Sequence, residues 1–238
     1  MPSPPSVAVT GACGRIGRAL VDHLSQRGYS LTLVDRPGTG LGGLVERGTV
    51  REHDLAQEPP VGLFAGVEVV IHLAGVGDAN ASWESLRPAN IEASYQTATA
   101  AMRDGCRRLI VASSVHAVSG SETRPVAPRD PVAPADLYGV TKCFVEALAF
   151  WCAHRGPMSA AAVRIGAFQP PPVDGSIDAA REPDVFIADS DLVVLLERAI
   201  DAPYRFALLH AAAPGRDVLL DTRATEELLG WRPEHRLR

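Results

Sequence analysis

Thr10-Gly11-Ala12-Cys13-Gly14-Arg15-Ile16-Gly17 decides the fold. It joins an apolar run, Ser6–Thr10, to a segment, Arg15–Arg27, in which Ile16, Leu20 and Leu24 recur at helical spacing. Glycines stand at 11, 14 and 17. In a strand–turn–helix, Gly11 permits the tight turn and Gly14 lets backbone approach an anion. Gly17 lets the helix lie close to the sheet. The unpaired N–H groups and the dipole at a helix N-terminus favour a pyrophosphate there. Cys13, Arg15 and Ile16 share this turn and join the three glycines as cofactor-binding candidates.

Working outward, strands are expected at Ser30–Val34, Thr49–Arg51, Val67–Leu73, Arg108–Ala112, Ala160–Ile165 and Arg205–Leu209. Helical patterns alternate with them at about 83–104, 136–154, 189–200 and 222–229. Val67–Leu73 is continuously apolar, as a strand buried on both faces requires. The pattern predicts an α/β fold, a Rossmann-like doubly wound parallel sheet. No linker divides the chain. We expect one domain over 1–238, with 1–166 mainly cofactor-binding core and 167–238 mainly a small C-terminal substrate lid. The proline-rich loops near 119–135 and 170–187 follow strands, on the edge where such sheets bind ligands.

Asp35 ends the second strand, where a carboxylate binds a ribose 2′-OH and repels a 2′-phosphate. NAD is therefore the expected cofactor, although Arg36 next door could pair with a phosphate. Asp54 and Leu55 stand where the adenine amino group would lie, and Asp54 serves equally as a helix cap. Leu73, Ala74 and Gly75 end the fourth strand with small residues suited to close packing against a cofactor. Asn90, in the helix that follows, is counted on the same side.

Tyr138 and Lys142 form a Tyr-x-x-x-Lys pair. Four helical residues amount to about 40° of rotation, so both project from one face. An ammonium near a phenol favours phenolate and lowers a pKa that starts near 10. Such a tyrosine can take a proton from a substrate hydroxyl. Ser113-Ser114 follow the strand Arg108–Ala112, and a serine there can hold the reacting oxygen.

Composition narrows the alternatives. The chain has 238 residues, 46% hydrophobic and 21% charged, with a net charge of −5. It carries no dense basic block and no apolar run of membrane-spanning length, so neither nucleic acid nor membrane is expected as partner. Residues 1–6 have no secretion-signal pattern. Four cysteines without a CxxC pair fit a reducing cytoplasm, and no ligand spacing predicts a metal. Trp83, Trp151 and Trp231 are read as packing residues. The helices 83–104 and 136–154 are apolar on more than one face, which predicts at least a homodimer.

The glycine spacing, Ser113-Ser114 and Leu137-Tyr138-Gly139-Val140-Thr141-Lys142 together resemble the extended, epimerase/dehydratase-like branch of the short-chain dehydrogenase/reductases. Leu229-Gly230-Trp231-Arg232-Pro233 is a tail typical of that branch. The resemblance implies Ser114, Tyr138 and Lys142 as catalytic residues, with Lys142 also holding the nicotinamide ribose. Only about 70 residues follow Ile165 by direct count, which leaves room for a small free substrate. Residues 112–116, 137–146, 163–166 and 189–193 are similar to the uronate dehydrogenases, which oxidise the anomeric carbon of a uronate with NAD. That similarity maps Arg181, ten residues before Asp191, onto a carboxylate-binding arginine, and His116 onto a substrate-contacting histidine. It also marks three departures on the substrate side. Gly77 stands where the pattern has Ser, Val115 where it has Asn, and Ala167 where it has Ser. The expectation is an NAD-dependent dehydrogenase acting on a small, carboxylate-bearing sugar acid or a less hydroxylated relative. An epimerase or dehydratase that retains its NAD, and a non-catalytic NAD sensor, are the alternatives.

Overall fold

The computed structural model describes residues 3–170, 183–213 and 218–235. A parallel sheet forms its centre, in the order β3-β2-β1-β4-β5-β6-β9. The strands are β1 (Val7–Thr10), β2 (Leu31–Asp35), β3 (Thr49–Glu52), β4 (Val69–His72), β5 (Arg108–Ser114), β6 (Ser159–Ile165) and β9 (Phe206–Ala211). Two shorter strands, β7 (Ala167–Gln169) and β8 (Phe186–Ala188), pair separately. The helices are α1 (Arg15–Gln26), α2 (Trp83–Leu86), α3 (Ala93–Arg103), α4 (Leu137–Arg155), α5 (Asp189–Asp201) and α6 (Arg223–Leu229).

The continuous apolar strands have cores on both faces of the sheet. Val7, Val9, Ile71, Ile110, Val163 and Leu209 pack with α1 and α5. Ala8, Val70, Leu109, Val111, Ala160 and Ala162 pack with α3 and α4. In α1 the buried residues are Gly17, Leu20, Val21 and Leu24, one helical stripe. Full burial of each leucine contributes about 1.5–3 kcal/mol.

Several local expectations change. Ser113 and Ser114 lie inside β5 rather than after it, because β6 pairs with them through Arg164 and Ile165. The segment read as one helix over 83–104 is α2, a single π-type turn (Arg87–Glu92) and α3. Pro88 supplies no N–H there, while its carbonyl accepts from the N–H of Ala93. The stretch read as loop near 170–187 contains β8, a strand too short to show a period. Trp231 is buried, with its indole donating to Asp191 O at 3.0 Å. Trp83 and Trp151, read as packing residues, are instead 44% and 38% exposed.

The C-terminal region has two parts. Strand β9 and helix α5 complete the main sheet and its outer layer. Strands β7 and β8 form a small unit with the neighbouring loops. It is joined by a bridge between Val126 and Leu220 and by the N–H of Leu219 on Asp184 O. Asp191 holds the tail, accepting from the N–H groups of Glu234 and His235. No helix among the described residues is long and apolar enough to cross a membrane. No cluster of three or more His, Cys, Asp or Glu among them could hold a metal ion.

Candidate active site

Strands β1 and β4 are neighbours whose connections leave in opposite directions, which opens a crevice at their carboxyl ends. Two lobes meet there. One, of about 430 Å³, is lined by Cys13, Asp35, Arg36, Thr39, Asp54 and Leu55 among others. The other, of about 620 Å³, runs from the glycine turn to Ser114, Tyr138, Lys142 and Phe168. Gly11, Gly14, Leu73, Gly75 and Val76 border both. Two lobes that share a wall suit the two nucleoside halves of a dinucleotide.

The glycine turn has the geometry its sequence implies. Gly11 has φ +66°, and a Cβ there would stand 2.7 Å from the backbone N of Ala74. A Cβ on Gly17 would collide with the carbonyl oxygen of Gly11. Gly14 caps α1 with extended backbone and without a side chain over the first N–H groups. That free helix end is a cradle for an anion. Gly17→Ala should therefore force α1 away from the turn and weaken NAD binding by about tenfold or more. Isothermal titration with NAD checks this, and affinity within twofold of wild type would contradict it.

Asp35 accepts from the N–H of Cys13 at 2.8 Å and the N–H of Arg36 at 2.9 Å. It thus ties the end of β2 to the glycine turn and keeps acceptor capacity for a ribose hydroxyl. The Arg36 side chain is exposed at the rim. Asp54 closes a turn by accepting from the N–H of Ala56, beside a buried Leu55. Asn90 lies behind the groove wall rather than in it. Its Oδ1 accepts from Val76 N at 2.7 Å, and its Nδ2 donates to Val76 O and Thr141 Oγ1, both at 3.0 Å. It holds the loop after β4 against α4.

Three residues on β5 and α4 converge in the larger lobe. The Lys142 ammonium is buried and donates to Ala112 O at 2.8 Å. Burial lowers its pKa to about 8. Its Nζ lies 5.5 Å from the centre of the Tyr138 ring. Burial pushes the Tyr138 phenol above its ordinary value, a hydrogen bond with Ser114 opposes this, and Asp136 adds to it. The lowering by lysine expected from the sequence is not what the structure shows: desolvation of the phenolate is the largest effect, and Ser114, not Lys142, opposes it. Asp136 caps α4, accepting from Gly139 N at 2.7 Å, and holds His116 Nδ1 at the same distance. The His116 ring meets Tyr138 edge-on, with centroids 5.3 Å apart.

On the substrate side, Gly77, Val115, His116 and Ala167 all line the larger lobe. A Cβ on Gly77 would lie 3.8 Å from the Tyr138 hydroxyl, an ordinary contact. Arg181 lies outside the described residues. Arg15 reaches across the mouth, donating to Phe168 O at 2.6 Å with its guanidinium 5.5 Å from the Phe168 ring. Sequence reasoning missed Val76, Ile165, Phe168 and Gln169, which also line the lobe. Their signal was only their place at or beyond the carboxyl ends of β4 and β6. Asp136 was legible as an N-cap, but its grip on His116 was not.

Residues 7–174 match the NAD dependent epimerase/dehydratase family. The chain is 30% identical over 230 residues to the uronate dehydrogenase of Pseudomonas putida, spanning 95% of this chain and 82% of that one. It is 32% identical over 173 residues to the L-arabinose 1-dehydrogenase (NAD(P)(+)) of Haloferax volcanii, spanning 67% of this chain and 66% of that enzyme. A solved mutated uronate dehydrogenase superposes with a TM-score of 0.84 at 29% identity, covering 98% of this chain and 82% of that one. Since the match begins at β1 and runs through α4 and β6, and so takes in the glycine turn and the whole Ser114–Tyr138–Lys142 cluster, the chain belongs to the NAD dependent epimerase/dehydratase family.

Proposed function

We propose that this protein is an NAD-dependent dehydrogenase that oxidises a hydroxyl of a small sugar acid or closely related sugar. The observation that carries it is the convergence of Ser114, Tyr138 and Lys142 in the larger lobe, which the glycine turn also borders. NAD, when bound, accepts the hydride. The protein's own work is to hold the substrate oxygen and take its proton. Ser114 Oγ fixes that oxygen, the Tyr138 phenolate takes up the proton at Oη and becomes the phenol, and the Lys142 ammonium stabilises the phenolate that must exist beforehand. Gly11, Gly14 and Gly17 hold the pyrophosphate, Asp35 the adenosine ribose, and Lys142 the nicotinamide ribose.

In the finer reading the substrate is a uronate, as the names of the relatives indicate for those enzymes, and it is oxidised at its anomeric carbon. His116 then bonds sugar hydroxyls and Arg181 the carboxylate. Gly77, Val115 and Ala167 offer no side-chain hydrogen bonds, which favours a substrate with fewer hydroxyls on that side. A homodimer through the outer faces of α3 and α4 fits the exposure of Tyr95, Val140, Phe150 and Trp151. A cytoplasmic setting fits four cysteines that remain thiols.

The test is NADH formation from NAD with a panel of uronates, neutral aldoses, deoxy sugars and other hydroxy acids. Turnover of a uronate supports the finer reading, and turnover of another sugar moves the specificity. Silence across the panel counts against the dehydrogenase, and NAD that copurifies with the silent enzyme would favour an epimerase. With a uronate as substrate, Gly77→Ser places a hydroxyl beside Tyr138 and is expected to raise kcat/KM about fivefold. An unchanged or lower value would show that this corner does not meet the sugar.

A further inference from the structure

Behind the catalytic cluster, on the α4 face of the sheet, a row of polar side chains crosses three strands. Ser113, Arg164 and His210 occupy one register row on β5, β6 and β9. All three are buried, as is Glu146 on α4. Ser113 Oγ donates to Glu146 Oε1 at 2.6 Å. Arg164 clasps the same carboxylate with two bonds, Nε to Oε1 at 2.8 Å and Nη2 to Oε2 at 2.9 Å. His210 Nδ1 donates to Asp221 O at 2.9 Å, so its Nε2 lone pair faces Arg164 Nη1 at 3.3 Å. Burial and the Arg164 charge lower the His210 pKa to about 4, so the imidazole is neutral. The charges in the row are therefore those of one ion pair.

A pair this deep is poor evidence for stability as such, since both charges lose their hydration. Its placement is informative. Glu146 is one helical turn beyond Lys142, which is one turn beyond Tyr138. Three successive residues of β5 meet these three residues of α4. Ala112 O accepts from Lys142, Ser113 Oγ donates to Glu146, and Ser114 lines the same lobe as Tyr138 and lowers its phenol pKa. Lys142 and Tyr138 face the reaction. Glu146 does not reach it, and only Glu146 of the three is itself held from beneath.

We propose that Glu146 and Ser113 are positioning residues for the oxidation: Glu146, fixed by Arg164, sets the end of β5 against α4 so that Ser114 keeps its place beside Tyr138. This rests on the function proposed above. Loss of the Ser113 hydroxyl keeps the ion pair and the fold but frees the strand end, and with it the bond that opposes the raised phenol pKa. The charged and titratable neighbours of Tyr138 are Lys142, His116 and Asp136, none of which Ser113→Ala removes.

The experiment compares wild type, Ser113→Ala and Ser113→Thr. Two readouts are taken, steady-state kinetics and the titration of Tyr138 followed by NMR of ring-labelled tyrosine. In Ser113→Ala, kcat should fall about tenfold with both KM values within twofold, and the phenol should titrate at higher pH. Ser113→Thr, which restores the hydroxyl, should return both. A wild-type kcat or an unmoved titration in Ser113→Ala overturns the proposal whatever happens to Tm, and so does failure of Thr to restore them. Should the wild type itself turn over no sugar, the function falls and the titration alone decides the positioning role. Glu146→Gln is the harsher variant, because it leaves the Arg164 charge without its partner.

Discussion

Tyr138→Phe should lower kcat by about a thousandfold, while NAD affinity stays within about twofold of wild type. The substitution removes one oxygen. The ring keeps its edge contact with His116 and its place over Lys142, so the walls of the groove are unchanged. What is lost is the group that, in the function proposed, takes the proton from the substrate hydroxyl. Because burial raises the phenol above its ordinary value, the wild-type kcat should climb with pH through the neutral and mildly alkaline range. The mutant's residual rate should lack that rise. Steady-state kinetics against pH, with NAD binding measured by calorimetry, checks both statements. A loss smaller than tenfold would mean that the proton leaves by another route, and the His116–Asp136 pair is the nearest alternative.

Lys142→Met is expected to abolish turnover and at the same time stabilise the fold near neutral pH. Burial lowers the lysine from 10.5 to about 8 in the folded state. Between those values the unfolded chain binds more protons than the folded one, so stability rises with pH across about 8 to 10.5. Below about pH 8 the folded protein carries the full cost of a buried charge. Each pKa unit corresponds to about 1.4 kcal/mol, so the cost is about 3 kcal/mol. Methionine removes it but leaves Ala112 O without its donor, at about 1–2 kcal/mol. The expected net gain is about 1–2 kcal/mol at pH 7. Urea denaturation of both proteins at pH 7 and pH 9.5 isolates the effect, since the other titrating groups are common to the two. The gap between them should narrow at the higher pH. A mutant less stable than wild type at pH 7 would mean that the ammonium is not paying this desolvation cost.

Such a cost is what the role proposed for Lys142 entails. The charge is kept where the proposed phenolate would stand, and the fold tolerates it because the surrounding core is large. The same logic separates Lys142 from Glu146, one turn away on the same helix. Glu146 has a bidentate arginine to meet its charge, whereas the Lys142 ammonium has a backbone carbonyl.

Much of this was legible in the chain. The turn at residues 10–17 implied the first strand, the first helix and the anion site, because a glycine without Cβ is a local steric fact. The apolar runs implied a sheet covered on both faces, since period and burial are written into neighbouring residues. Tyr138 and Lys142 announced a shared face through their spacing alone. The break at Arg87–Glu92 was less legible, because Pro88 shows where a helix is disturbed but not how the backbone absorbs it.

Tertiary structure decided the rest, and for one reason: each remaining feature joins residues distant in sequence. Asn90 is a groove residue in the sequence reading and a strap behind the wall in the structure, because Val76 and Thr141 meet it only after folding. The rise of the Tyr138 pKa depends on how much chain covers the phenol, which no local pattern records. Arg164 reads as an ordinary strand residue until β5, β9 and α4 surround it with Ser113, His210 and Glu146. Side-chain chemistry and periodicity are local and survive in the sequence. Desolvation, register and the partners of buried charges exist only once the sheet has closed around them.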